Sequence, residues 1–300
     1  MSHRHGAVIA FKAEHQQLTG SFKLRGALNK VLGLSDAEAA SGVITASSGN
    51  HGIGTATAAA VRGVPCTVFL PSGASSSKVA AIQRLGAEIV TVDSTDASLA
   101  ETEARAAASA ARSAYVSPYN DAEIAAGQGT IAVEILEDAA AAGIGYIDAV
   151  TVAVGGGGLM SGISTWLKHR SPNTTVIGAS PANDAAMIAS VGAGAITAID
   201  ASPTLSDGTA GGIEEDAITF DICRDLVDEW VTVSEADIAA AMAGFIDDHH
   251  EVIEGAAGVA LAAATAYADA HPGSTVVAVL CGANVSSLTL ANALELAAPG

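Results

Sequence analysis

Basic residues are scarce in this sequence. Lysine and arginine together number 13 among 300 residues, against 32 aspartates and glutamates, for a net charge of −19. Such a balance repels nucleic acid and anionic membrane surfaces, which excludes both as expected partners. Cysteine is nearly absent as well. Cys66, Cys223 and Cys281 are odd in number and have neither pairing nor metal-site spacing, so no disulfide framework is expected. Aromatic residues make up 4% of the chain, which leaves small aliphatic side chains, much of them alanine, to fill the core. Long hydrophobic runs are missing too. The longest uncharged helical stretch, GAAGVALAAATAYA (255–268), is shorter than the ~20 residues a bilayer demands and reads as a buried helix. The start, MSHRHGAVIAFKAEH, lacks the apolar centre of a signal peptide. These absences together predict a soluble, cytoplasmic protein.

What is present is a regular alternation. Apolar, β-rich runs occur at 42–46, 66–70, 88–92, 148–154, 174–179, 229–233 and 274–280. Ala-rich helical patterns fall at 50–62, 76–85, 98–112, 122–141, 159–169, 234–247 and 256–269. Strands without polar alternation belong to sheets covered on both faces, and strand–helix alternation predicts parallel α/β layers. Two α/β domains are expected, with a cleft between them. Residues 1–40 and 119–300 form a large domain, and residues 41–118 form a small one.

Three strand ends carry polar or glycine-rich loops. In VTVAVGGGGLMSG a strand ends at Val154, four glycines follow, and a helix begins near Leu159. Backbone N–H groups and a helix N-terminus at such a loop make a phosphate cradle. No lysine stands at the nucleoside-triphosphate position. Met160 replaces the third glycine of a dinucleotide fingerprint, and Ser180 stands where a ribose-binding acid belongs. In TASSGNHGIG the strand runs into Ser47, Ser48, Gly49, Asn50 and His51, a nest suited to a carboxylate, although Ser and Asn are also ordinary helix caps. In VLCGANV a third strand meets Cys281, which read alone is a small buried apolar residue. The chain has five lysines, and one of them, Lys23, sits in TGSFKLRG beside Phe22 with glycines at 20 and 26. A phosphate cradle, a carboxylate nest and an isolated amine are the parts needed for pyridoxal phosphate acting on an amino acid.

The chain resembles the fold-type II pyridoxal-phosphate enzymes, in the serine/threonine dehydratase and serine racemase branch. TGSFKLRGA is similar to their Schiff-base motif, SSGNHG to their substrate loop, GGGGLMSG to their phosphate loop and CGANV to their pyridine-nitrogen motif. AGQGTIAVEI (126–135), LSDGTAGG (205–212) and VIEGAAGVALAA (252–263) also match. The resemblance implies two open, mostly parallel twisted sheets covered by helices, in the manner of the tryptophan synthase β chain. It implies pyridoxal 5′-phosphate as cofactor, a small hydroxy amino acid as substrate, and a homodimer.

Carried over by position, Lys23 is the Schiff-base lysine and the base at one face of the substrate Cα. Phe22 packs against the cofactor ring, and Asn50 bonds its 3′-oxygen. Gly155, Gly156, Gly157, Gly158 and Leu159 hold the phosphate, and Cys281 faces the pyridine nitrogen. Ser47, Ser48 and His51, with their loop backbone, bind the substrate carboxylate. Ser48 also occupies the position of the racemase acid/base serine, so it is a catalytic candidate on the face away from Lys23. Where some relatives bind a divalent ion, ASPANDAAM places Ser180 and Ala186 at the acidic positions, so no metal is expected. The chain stops soon after CGANV, so no C-terminal regulatory module is expected either. The expected reaction is β-elimination from L-threonine or L-serine to a 2-oxo acid and ammonia. Alternatives are racemisation of serine or another amino acid, and a truncated cofactor-binding protein without activity.

Overall fold

Uninterrupted apolar runs become the middle of each sheet in the computed structural model. AVTVA at 149–153 is buried at every position and is the central strand of its five-stranded sheet, paired on both sides. The structure describes residues 2–74, 76–95 and 97–298, and the side chains of all of these except 3, 4, 77 and 97.

Along the chain the elements are α1 (Ser2–His5), β1 (Val8–Lys12), α2 (Lys23–Gly33), α3 (Asp36–Ala39), β2 (Val43–Ala46), α4 (Asn50–Arg62), β3 (Cys66–Pro71) and α5 (Ser76–Arg84). There follow β4 (Glu88–Val92), α6 (Ala97–Ala111), β5 (Ala114–Tyr115), α7 (Ala122–Ala141), β6 (Ala149–Ala153), α8 (Gly158–Arg170), β7 (Thr175–Pro181) and α9 (Ala186–Ala193). The last are α10 (Ile218–Leu226), β8 (Glu229–Val233), α11 (Glu235–His249), α12 (Gly255–Ala270), β9 (Thr275–Val279) and α13 (Ser287–Ala297).

The chain divides into two compact units, Gln17–Gln128 and Met1–Gln16 with Gly129–Gly300. The first carries a four-stranded sheet in the order β4-β3-β2-β5, and all its pairs are parallel. Its core joins Val43, Val68 and Leu70 of the sheet to Ala56, Ala58 and Ala59 of α4 and to Ile82. The second carries five parallel strands in the order β1-β9-β6-β7-β8. Here α12 is buried on almost every side, which is why its sequence shows no amphipathic stripe. Parallel pairing puts strand carboxyl ends together, and in such sheets ligand loops gather there.

The α/β architecture with two parallel sheets agrees with the alternation in the sequence. Among the described residues no helix is long and apolar enough to cross a membrane.

Candidate active site

Lys23 owes its position to a turn and a close helix contact. Gly20 has a left-handed φ of +72°, and its N–H donates to the Gln17 carbonyl at 2.7 Å, which closes the turn ahead of the lysine. Lys23 is then the first residue of α2. At Gly54 of α4 an added Cβ would lie 3.2 Å from the Lys23 carbonyl carbon, so that glycine lets α4 press against the backbone that carries the amine. The Lys23 Nζ donates to the Pro118 carbonyl at 2.7 Å and lies 5.1 Å from the centroid of the buried Phe22 ring. The hydroxyl of Ser21 nearby is fully buried without a hydrogen-bond partner among the described residues.

Strand β2 delivers the second loop. Ser47, Ser48 and Asn50 are half-buried at the N-terminus of α4, whose first-turn N–H groups have no intrahelical acceptor. The Ser47 hydroxyl accepts from the Gly49 N–H at 3.2 Å. The Ser48 hydroxyl makes no hydrogen bond among the described residues. His51 is 2% exposed, and its Nε2 faces the Val116 carbonyl at 2.9 Å. A carbonyl only accepts, so Nε2 carries the hydrogen and Nδ1 is left as a buried, unpartnered acceptor. Burial, then the Lys23 charge, pushes the imidazole down to about 3, so His51 is neutral. It therefore brings no cation to this loop, and any anion here is held by backbone N–H groups, the helix end and the hydroxyls. Thr45 also donates to the Val116 carbonyl, at 2.8 Å, so residues 116–118 tie together the ends of β2, His51 and Lys23.

The glycine loop has another construction. Gly157 has φ +85°, which a side chain rarely adopts, and caps α8. A Cβ added there would stand 3.0 Å from both Cys223 Sγ and Thr219 Cβ. One added at Gly155 would stand 2.5 Å from the Thr209 carbonyl oxygen. Thr219 Oγ1 donates to the Gly156 carbonyl at 2.6 Å, and the Cys223 thiol, pushed up by burial to about 12, lies 3.8 Å from the Gly157 carbonyl. The loop's carbonyls are thus engaged from behind, while the N-terminal N–H groups of Gly158, Leu159 and Met160 lack helical acceptors.

Thr209 and Thr219 were given no role by the sequence, although LSDGTAGG stood out as a motif. Asp184 is buried and accepts the Gly211 N–H at 2.9 Å, which ties that loop to the end of β7. Ser180 spends its hydroxyl on the Val154 carbonyl at 2.8 Å, and Ala186 opens α9. Among the described residues no three His, Cys, Asp or Glu side chains are grouped to hold a metal. Cys281, at the end of β9, is 2% exposed and within 3.9 Å of the buried Glu254 carboxylate.

Each group suits a part of pyridoxal phosphate. The glycine loop has no space for a side chain at Gly155 or Gly157 and offers helix-end N–H groups to a phosphate. Lys23 supplies an amine for an aldehyde, with its Nζ beside an aromatic ring. Cys281 supplies a buried thiol, the kind of group that the resemblance sets opposite the ring nitrogen.

Comparison with known proteins agrees. The L-threonine ammonia-lyase of Thermotoga maritima is 39% identical over 285 residues, which cover 93% of this chain and 68% of that protein. The serine racemase of Arabidopsis thaliana is 39% identical over 239 residues, covering 79% and 69%. The structure of processed threonine deaminase isoform 2 from Solanum lycopersicum superposes with a TM-score of 0.93 at 34% identity, over 99% of this chain and 85% of that one. The family model described as pyridoxal-phosphate dependent enzyme matches residues 1–282. A family match over residues 1–282, with a relative 39% identical across 93% of the chain, places this protein in the family of pyridoxal-phosphate dependent enzymes.

Proposed function

We propose that the protein is an ammonia-lyase that removes the β-hydroxyl of L-threonine or L-serine and yields a 2-oxo acid and ammonia. The observation that carries this reading is the 39% identity, across 93% of the chain, to an L-threonine ammonia-lyase. Pyridoxal phosphate, when bound, draws electrons from the substrate α-carbon and makes its hydrogen acidic. The chain's own groups do the rest.

Lys23 Nζ takes the α-hydrogen as general base, and it must be unprotonated to do so. The Pro118 carbonyl, 2.7 Å from Nζ, accepts one of its hydrogens and aims the amine. The N-terminus of α4, with the Ser47 hydroxyl and the backbone of Asn50 and His51, binds the substrate carboxylate. Neutral His51 adds no charge to this loop. Gly155, Gly156, Gly157, Gly158 and Leu159 hold the cofactor phosphate, Asn50 and Phe22 hold its ring, and Cys281 meets the ring nitrogen. In that place a thiol would not protonate the ring nitrogen, which would favour elimination of the β-hydroxyl over transamination. The resemblance also carries a homodimer in the cytoplasm, which light scattering and cell fractionation test.

A second reading has one specific support. The Ser48 hydroxyl has no hydrogen-bond partner among the described residues, so it is available as an acid/base for racemisation. Purified holoenzyme should be screened against β-hydroxy amino acids, with 2-oxo acid, ammonia and the chirality of residual substrate followed together. Oxo acid from L-threonine or L-serine supports the lyase. Inverted substrate without oxo acid would replace it with the racemase.

A further inference from the structure

Helix α2 begins irregularly, and a residue far along the chain completes its first turn. At α4 and α8 the residue before the helix accepts from the N–H four residues on: Gly49 from Ile53 at 3.2 Å, and Gly157 from Ser161 at 2.8 Å. At α2 the Phe22 carbonyl takes the Arg25 N–H instead, three residues on, at 3.0 Å, and Phe22 brings no side-chain cap. The Gly26 N–H donates to Gln128 Oε1 of α7 at 3.2 Å. Gln128 is buried, and the approach needs glycine on both helices. A Cβ added at Gly26 would lie 2.3 Å from Gln128 Nε2, and one added at Gly127 would lie 2.6 Å from the Gly26 Cα. Two more contacts join the helices: Asn29 Nδ2 donates to the Glu123 carbonyl at 2.7 Å, and Lys30 Nζ meets Asp121 Oδ2 at 2.7 Å. All these residues belong to the unit Gln17–Gln128, and Gln128 lies in the AGQGTIAVEI motif.

A glutamine amide has one carbonyl oxygen, and a backbone N–H can be met only by that oxygen. Turned to Gly26, it supplies an acceptor three residues after Lys23, within the same helical turn. Without it the Gly26 N–H is drawn to the Phe22 carbonyl, the regular α-helical acceptor, and the turn that carries Phe22 and Lys23 closes on a different bond pattern. We propose that Gln128 is a positioning residue, which fixes the first turn of α2 and so the direction of the Lys23 amine toward the substrate α-hydrogen. The inference rests on the reading of Lys23 as general base. It adds that the base is set at two places: at Nζ by the Pro118 carbonyl, just ahead of α7, and at the backbone by Gln128 of α7 itself.

Gln128→Met keeps the length of the side chain and removes the acceptor. In apoprotein labelled with 13C-carbonyl arginine and 15N glycine, magnetic resonance selects the glycines that follow arginine, Gly26 and Gly63. The Gly26 amide signal should move in Gln128→Met while the Gly63 signal stays. Competitive reductive methylation of the same apoprotein should show a changed rate at Lys23 and unchanged rates at Lys12 and Lys168. In the holoenzyme kcat should fall by about 10²-fold, as expected for a misplaced base, with KM altered by less than about 2-fold. A merely structural role would lower the unfolding midpoint and leave kcat and the Lys23 rate untouched. Should Gln128→Met fail to fold, Gln128→Asn, whose shorter amide withdraws the oxygen from hydrogen-bond reach of Gly26, carries the same expectations. An unmoved Gly26 signal overturns the proposal. A moved signal with unchanged Lys23 rate and kcat, or a rise in KM alone, overturns the link from Gln128 to the base. Should the wild type release no oxo acid from L-threonine or L-serine, the proposed function falls instead, and the apoprotein measurements still decide the role of Gln128.

Discussion

The turns β2–α4 and β6–α8 do similar work with opposite materials. Each leads from a buried parallel strand into a 13-residue helix. At β2–α4 the turn keeps polar side chains, Ser47, Ser48 and Asn50, half-buried at the helix end. At β6–α8 it has only glycine, and its shape is enforced from behind by Thr209, Thr219 and Cys223. The difference teaches how specificity is distributed. A backbone cradle reads charge and shape, which suits a group present in every catalytic cycle. A turn with side chains can be altered residue by residue, which suits a substrate.

The largest effect expected is at the amine against which both turns are judged. Lys23→Ala should lower elimination by at least ~10⁴-fold, because proton transfer and the anchoring amine disappear together. Oxo-acid release and the yellow absorbance should vanish together. A borohydride-reducible lysine adduct that survived elsewhere would reassign the anchor.

Acid should act next most strongly, and on the β2–α4 side. His51 titrates at about 3 in the fold against an ordinary 6.5, so between those values the unfolded chain binds the extra proton. Its contribution to stability is complete above about pH 6.5 and is lost as pH falls toward 3, with a slope approaching ~1.4 kcal/mol per pH unit. Denaturant titrations across that window should show the slope in the wild type and a shallower one in His51→Asn. Equal slopes would mean that His51 is not the proton acceptor.

Paired glycine substitutions break the comparison most directly. Gly157→Ala forces a side chain into φ +85° and against Cys223 and Thr219, and should destabilise the protein by about 2–4 kcal/mol while weakening pyridoxal phosphate more than pyridoxal. Gly49 has φ −110°, and a Cβ there meets no atom within 4 Å, so Gly49→Ala should cost under about 1 kcal/mol. Unfolding midpoints and cofactor titrations of both variants give the contrast. Equal losses would show that the two turns are built alike after all.

The smallest effect is selective. Ser48→Ala should reduce attack on the D-enantiomer by about 10²-fold and leave L-elimination nearly intact. Parallel loss of both activities would reduce Ser48 to a part of the carboxylate nest.

The sequence made the strand ends legible because each combines an apolar run with glycine or a polar cluster. Strands β4 and β8 fall on the residues that the apolar runs mark, and α4 and α7 on the helical patterns. Other elements carry no such signal. Helix α2 starts at Lys23 without a side-chain cap and contains Gly26, so its residues read as a motif and not as a helix. Strand β5 has two residues and is held by pairing with β2, a tertiary cause that no local pattern announces. The same limit hid Gln128, Thr209 and Pro118. Their importance lies in what they approach, Gly26, Gly155 and the lysine's amine, and approach between distant segments leaves no periodicity to read.

The edge strand β1 pairs with β9 from Val8↔Thr275 to Lys12↔Val279, so neighbours in the sheet are separated by most of the polypeptide. During synthesis this makes β1 a waiting strand. It leaves the ribosome early and has no sheet partner until β9 emerges, whereas Gln17–Gln128 is one unbroken stretch that contains every strand of its own sheet. The four-stranded sheet can therefore form while translation continues, and closure of the five-stranded sheet becomes the late, slow event, as non-local pairing dictates. Throughout that interval an unpaired VIAFK segment is exposed to other nascent chains, and its last residue, Lys12, supplies a charge of the kind that discourages edge-to-edge association.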